Sequence, residues 1–462
     1  MKFLKTLLFS TFFSPITINA QYNADSIFIS TIYNQALGTD DCYENLRHLC
    51  KQIGHRLAGS ESADKAIAWG ESVLKSYNPD DVFLMPVDVP HWTRGNKEYA
   101  HYSSRGLDHN DLKITALGGS IGTAGDITAE VVEVKTFEEL EKLGEAGVKG
   151  KIVFYNKAMD ALLLNTGAAY GGAYPIRGEG AVRAAKLGAV ASIIRSLTLA
   201  EDDFPHTGAM TYNDSVPRIP AGALSSISSR LLSKALKDDP NLKLTIHLSS
   251  EYYGRTMQAN VIAELKGSLF PDEYITIGGH LDSWDIGEGA HDDGTGIVQS
   301  IELMRILKAL NYKPKHTIRV VLFINEEFGN DGGLTYAKEC KDNGRIHVAA
   351  LESDAGGFSP QGFSCDVNDS QYEQIIGWKK ILEPYNLLVF KRGGSGVDIR
   401  PLKDERVALI GLSVDGQKYF DYHHTNNDVF ENVNKRELQL GAAAMTSLIY
   451  LIDQTGLPAT GK

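Results

Sequence analysis

The stretch Tyr274–Gly296, YITIGGHLDSWDIGEGAHDDGTG, decides the fold. Its first five residues form an apolar run of the kind that fills a strand buried on both faces of a parallel sheet. The run stops at Gly279, and polar chemistry begins at once with His280 and Asp282. Asp292 and Asp293 follow in a glycine-rich loop before a helical pattern opens at about Thr295. In an open α/β sheet, ligands bind in the crevice beyond the carboxyl ends of the strands. His280, Asp282 and Asp292 are expected in that crevice, as candidates for a metal site.

Downstream, the pattern predicts a long helix over 294–310 and a buried strand over 317–324 that ends in Asn325-Glu326-Glu327. A strand over 348–351 ends in Glu352-Ser353-Asp354, and one over 408–413 leads to His423-His424-Thr425. A helix over 436–452 closes the chain. Four strand ends thus deliver His280, Asp292, Glu326, Glu327, Asp354, His423 and His424 to one rim.

Upstream, helices are predicted over 40–53 and 61–76, with His55 and Arg56 as a loop pair anchoring them. Strands are predicted over 82–89 and 113–117. Composition shifts at Gly118–Gly122, and a small α/β unit follows, with strands over 129–134, 150–155, 190–195, 217–223 and 242–248. Helices are expected there over 137–145 and 181–187. This segment shows no acid–base constellation; His206 and Asp202–Asp203 read as a solvated loop, which makes the unit a lid or docking module. The expected fold class is α/β: a three-layer sandwich with a mixed, mainly parallel sheet, interrupted by an inserted α/β domain. The expected division is 21–116 and 253–462 for the main domain and 117–252 for the insert.

Residues 1–20 read as a secretory signal peptide, with Lys2 and Lys5 around an apolar run and small-residue spacing ending at Ala20. The mature chain is therefore expected to be secreted or periplasmic. Composition is that of a globular protein, 43% hydrophobic and 23% charged. A formal net charge of −12 argues against a nucleic-acid partner. No mature stretch is apolar enough to span a membrane. Cys42, Cys50, Cys340 and Cys365 lack metal-type spacing and read as structural. Cys42 and Cys50, about 12 Å apart along a straight helix, are too far apart to bridge.

Zinc takes imidazole and carboxylate ligands, and a catalytic site keeps a position for water. Two zinc ions can share one carboxylate and one hydroxide; one His and one further carboxylate for each ion complete the set. One carboxylate must stay off the metals to take the water's proton and pass it to the leaving amine. The adjacent pair Glu326-Glu327 can divide these tasks. Asp282, two residues past His280, is placed to hold the imidazole's other N–H. Each element alone is weak; their arrival in order at successive strand ends carries the inference.

These motifs, together with Gly289–Gly294, Ala355-Gly356, Gly54–Ser60 and Ile194-Arg195-Ser196, resemble the co-catalytic di-zinc exopeptidases, the family of leucyl aminopeptidases and glutamate carboxypeptidases. The resemblance extends over nearly all the mature chain and implies that the insert is a protease-associated domain. It implies that His280 and Asp354 bind one zinc, Glu327 and His424 the other, and that Asp292 bridges them across a cis Asp292–Asp293 peptide. Glu326 becomes the general base, and His423 stands where many relatives place an oxyanion-binding Tyr. Gly393–Asp398 resembles a substrate-lining loop. The function implied is zinc-dependent hydrolysis of unblocked dipeptides or short peptides, with exposed acids such as Asp285 available for a free α-amine. A homodimer is the implied assembly. Alternatives are a broader aminopeptidase on longer peptides, a single-zinc glutaminyl cyclase, and a receptor-like protein without metals; the complete ligand set weighs against the last two.

Overall fold

Alternate residues of the buried run around Ile275 face opposite ways, so a strand apolar at every position demands a cover on both sides. In the computed structural model, which describes residues 15–103 and 109–458, both covers are present. Sixteen strands occur among the described residues. They are β1 (Asp81–Thr93), β2 (Glu98–Ser103), β3 (Asn110–Leu112), β4 (Ile114–Ala116), β5 (Ile127–Val134), β6 (Ile152–Tyr155), β7 (Ala191–Arg195) and β8 (Ala221–Leu224). There follow β9 (Lys243–Leu248), β10 (Glu251–Leu265), β11 (Phe270–His280), β12 (His316–Phe323), β13 (Ile346–Glu352), β14 (Pro360–Asp366), β15 (Val389–Arg392) and β16 (Ala408–Val414).

The first sheet has the order β1-β10-β12-β11-β13-β16-β14-β15. Its centre, β12-β11-β13-β16, is parallel, while β1, β10 and β14 pair antiparallel towards the edges. Ile275, Ile277, Ile318, Val320 and Leu322 face a core built with the helices Glu61–Ser76, Thr295–Ala309 and Lys435–Thr455. Val321, Phe323, Ala350 and Leu409 face the other side, against Tyr336 and Cys340 of the helix Asp331–Asp342. Each such aliphatic side chain contributes about 1.5–3 kcal/mol on burial, so the central strands are fixed in place and their ends are rigid platforms.

The second sheet has the order β3-β2-β9-β5-β6-β7-β8-β4. Its first strands begin at Glu98, ahead of the boundary at 117 drawn from composition. β2 and β4 join it by antiparallel pairing with the distant β9 and β8, long-range contacts that a local composition shift does not mark. The helix predicted over 181–187 begins at Thr166 and runs to Lys186. Gly167, Gly171, Gly172, Pro175, Gly178 and Gly180 hid it as far as residue 180. The helix Ser226–Asp238 and the strands β14 and β15 are further elements that periodicity did not reveal.

The signal-peptide expectation lies mainly outside the described residues; Pro15 to Ala20 open the helix Pro15–Leu37. Among the described residues no helix is long and apolar enough to cross a membrane. All four cysteines are free and buried.

Candidate metal centre and active-site cavity

β11, β12 and β13 run parallel and in step, so their carboxyl ends reach one level. His280 is the last residue of β11 and pairs with Phe323 of β12. Its Nε2 lies 3.2 Å from Asp292 Oδ1 and 3.5 Å from Asp354 Oδ1. Across the same floor, His424 Nε2 lies 2.9 Å from Glu327 Oε2 and 3.3 Å from Asp292 Oδ2. Asp292 therefore stands between two imidazole–carboxylate pairs, and the Asp292–Asp293 peptide is cis. His423 stacks on His424, with ring centroids 3.5 Å apart, and its Nε2 is 3.7 Å from Asp292 Oδ2. Asn325 and His424 adopt φ of 66° and 63°, a region few residues with a β-carbon use, and so turn the chain sharply beside the site.

The surroundings hold these groups by backbone amides. Asp293 accepts from the amides of His280 and Gly296 at 3.0 Å each, and Asp428 from those of His291 and Asp292 at 2.7 and 3.1 Å. His280 Nδ1 donates to the main-chain carbonyl of Asp282 at 3.0 Å, which leaves Nε2 facing the carboxylates. The Asp282 carboxylate, expected on that imidazole, is 3.7 Å away. It accepts instead from the amides of Glu326 and Glu327 at 3.0 and 3.3 Å. The strand-end geometry favours this: a main-chain carbonyl two residues on reaches Nδ1, and the side chain is free to turn towards β12. Trp284 Nε1 donates to Glu327 Oε2 at 2.6 Å.

Arg56 is fully buried and donates to the carbonyls of Leu281, Glu288 and Gly289. It clamps the loop after β11 rather than only joining two helices. Asp285 is held by Arg94, with Nη2 to Oδ1 at 2.6 Å and Nε at 3.0 Å. That ion pair removes Asp285 as a free acid for a substrate amine. His206 is buried, and its Nδ1 lies 2.7 Å from the His423 carbonyl; the expected solvated loop is a support for the site.

The sequence profile of peptidase family M28 matches residues 260–449. Carboxypeptidase Q from Bos taurus is 34% identical over 430 residues, covering 93% of this chain and 88% of the relative. Among solved structures, the peptidase M28 precursor from Shewanella amazonensis SB2B matches with a TM-score of 0.90 at 35% identity, covering 96% of this chain and all of that one. The chain belongs to peptidase family M28. A zinc aminopeptidase from Bacillus subtilis shares the fold, with a TM-score of 0.65 at 19% identity, covering 92% of this chain and 96% of that one. The molecule is, within family M28, a metallo-exopeptidase.

The donors of this M28 peptidase fit a metal by a test internal to the structure. Asp292 Oδ2, Glu327 Oε1 and Asp354 Oδ1 are buried and accept no hydrogen bond from the described residues. Buried carboxylate oxygens without partners are costly, and cations relieve that cost. The triads His280–Asp292–Asp354 and Asp292–His423–His424 each bring their donor atoms within 4.8 Å of one another. Burial would raise the pKa of Asp292, yet His280, His423 and His424 hold it well below the usual carboxylate range. Burial lowers His423 to about 4, so its imidazole is neutral at physiological pH and keeps one N–H to donate. Burial, with the carboxylates of Asp354, Asp282 and Asp292, pushes Glu326 up to about 8 against the opposing effect of His280; a nearby dication reverses that balance.

The site opens into a cavity of about 870 Å³. Asp292, Glu326, Glu327, Asp354, His423 and His424 line one side, and residues of the second-sheet unit, among them Tyr170, Tyr174, Arg177 and Met210, line the other. Arg177 is buried, with Thr207 O and His424 Nδ1 each 3.4 Å from its Nη1. Its Nε has no hydrogen-bond partner among the described residues, and its guanidinium lies over Tyr170 and Tyr174, 5.4 and 5.0 Å from their ring centroids. Arg177 was missed because the glycine-rich half of its helix carries no periodic signal. Tyr419, also absent from the sequence motifs, lines the cavity beside His423. Asp398, by contrast, is fully buried and absent from the cavity wall; Val397 and Arg400 of that loop do line it.

Proposed function

We propose that this M28 peptidase is a secreted zinc exopeptidase that cleaves unblocked dipeptides and short peptides. The observation that carries the reading is the convergence of three partnerless carboxylate oxygens and two histidine–carboxylate pairs on the floor of a walled cavity. His280 and Asp354 would hold one ion and Glu327 and His424 a second, with Asp292 shared between them. Zinc bound there supplies Lewis-acid polarisation of the scissile carbonyl and acidifies the attacking water to a pKa of about 7. Glu326 takes the proton of that water and delivers it to the leaving amine. The neutral His423 donates its N–H towards the oxygen that gains charge. Asp282 fixes both glutamates through their amides, so the base and the ligand beside it keep a constant separation.

Arg177 defines the substrate's end. A buried guanidinium with no carboxylate partner among the described residues fits a free α-carboxylate, and its contact with His424, 3.4 Å from Nη1 to Nδ1, keeps that end of the substrate close to the metal residues. The second-sheet unit, read as the protease-associated domain, supplies this contact and acts as a lid that excludes long chains. N-terminal secretion follows from the lysine-flanked apolar run before Ala20.

Metal content of the purified chain is measured alongside hydrolysis of a dipeptide and of its C-terminal amide, before and after chelation. Two zinc ions per chain and hydrolysis restored by zinc are expected. Hydrolysis of the free acid should exceed that of the amide, and Arg177→Ala should erase the difference. A charge-assisted contact of about 1.5–3 kcal/mol corresponds to a loss of roughly ten- to a hundredfold in kcat/KM. Absence of metal and activity after added zinc would overturn the peptidase reading. Equal turnover of acid and amide would move the function to an aminopeptidase acting on longer peptides.

A further inference from the structure

The outer edge of the second sheet carries imidazoles that the peptidase chemistry does not use. His101 of β2 lies directly opposite Asp111 of β3, so both side chains emerge on one face of the ribbon. His109, two residues before Asp111, shares that face: its ring stacks on His101 with centroids 4.0 Å apart. Its Nε2 is 2.9 Å from Asp111 Oδ1. One donor atom from each of His101, His109 and Asp111 lies within 4.8 Å of the other two. Donors held about 2.0–2.1 Å from one ion are at most about 4 Å apart, a gap that small side-chain rotations close.

The neighbours pre-set the cluster. Tyr99 stacks against His101 with centroids 6.1 Å apart, and against His247 at 5.1 Å. His247 is itself tied to Asp126, Nδ1 to Oδ1 at 2.9 Å. His101 thus stacks with two rings, and the His109–Asp111 pair is aligned against it. The side chains of His109 and Asp111 are 63% and 85% exposed, so an ion can reach them and keep open positions for water. A His–Asp pair alone would be a solvated contact; the third donor on the adjoining strand makes it a chelate. β3 is only three residues long and pairs with β2 alone, so an ion here would fasten an edge strand to its neighbour.

We propose that His101, His109 and Asp111 form a separate surface site for an imidazole-preferring divalent transition ion, zinc or copper(II). Copper(II) binds such N/O donors more tightly than zinc does and serves as the spectroscopic probe. The test titrates the full-length holoenzyme, its peptidase centre already loaded with zinc, with copper(II), followed by calorimetry and by electron paramagnetic resonance. The wild type is expected to take up one more equivalent than the His101→Ala/His109→Ala double variant, with nitrogen hyperfine structure in the difference spectrum. Loss of an outer-shell partner alone costs about 10–100-fold in metal affinity, so each single ligand variant should weaken the site at least about tenfold. His247→Ala should retain it, and all these variants should hydrolyse peptide as the wild type does. The ion should also raise the melting temperature of the wild type but not of the double variant. Equal uptake by wild type and double variant would overturn the site, since the copper would then sit at the peptidase centre or on scattered surface groups. Loss of the equivalent in His247→Ala would overturn the ligand set.

Discussion

Asp282 shows how much depends on one side chain that touches neither substrate nor metal donor. It is fully buried, and its carboxylate ties the amides of Glu326 and Glu327 to the end of β11. Asp282→Asn keeps the volume but presents an NH2 group to one of those amides. Its expected effect is a loss of about 10–100-fold in kcat or metal affinity, the usual consequence of disturbing an outer-shell group. Steady-state kinetics and chelator competition read the two quantities separately, and an unchanged enzyme would show that the glutamates are positioned by packing alone. His280, Asp292, Glu326, Glu327, Asp354 and His424 were legible in the sequence because each sits at the end of a recognisable strand or in the loop that follows one. The task of Asp282 was not, because it depends on which strand lies beside β11. His206 was illegible because it reaches the site from the second-sheet unit, as does Arg177, whose helix in addition carries little periodic signal.

At the level of elements, the contact between the loop after β11 and the second sheet is made through Gly118. A β-carbon there would fall within the Trp284 ring, and Trp284 is the donor to Glu327. Overpacking of this kind costs about 1–3 kcal/mol, and the ring must move. Gly118→Ala is expected to lower activity and metal affinity while far-ultraviolet circular dichroism stays unchanged. Near-ultraviolet dichroism should register the shifted indole. Full activity with an unmoved indole signal would show that the second sheet yields instead. The sequence marked this point as a composition shift, Gly118-Gly119, and a shift of composition carries no information on what the glycine must avoid. The central strands of the first sheet were legible because burial on both faces leaves a continuous apolar run. The helix Thr166–Lys186 was half hidden because its glycines carry no side chain to mark a face and so suppress helical periodicity; Gly180 alone among them meets another element closely, at Tyr155.

Over the whole molecule, stability at acid pH and coupling between the two sheets can be tested separately. His347 is buried between Tyr274 and Tyr336, and burial, aided by Arg319 and Arg345, lowers it to about 3. An unfolded histidine titrates near 6.5, so the unfolded chain takes up this proton first as pH falls. The stability that the neutral imidazole preserves is complete above about pH 6.5 and declines towards pH 3, by about 1.4 kcal/mol per unit at most. His347→Gln should therefore flatten the difference in denaturation midpoint between pH 7 and pH 5; an unaltered difference would assign acid sensitivity to other groups. Coupling rests on Arg94, buried between the sheets, which bonds Asp285 on one side and Thr115 Oγ1 and the Ala116 carbonyl on the other. Arg94→Met leaves the half-buried Asp285 without its cation, a change that costs up to about 3–5 kcal/mol. Adding Asp285→Leu removes one of the two carboxylates stranded by that change, Glu98 being the other, and should restore part of that stability. The double variant still lacks the bonds that orient the second sheet over the metal residues. If those bonds set the height of the cavity wall, KM for a dipeptide stays raised in the double variant while its melting temperature recovers. Recovery of both would make the ion pair a matter of stability only, and the wall would then be held by the apolar contact of Trp92, Trp284 and Phe328.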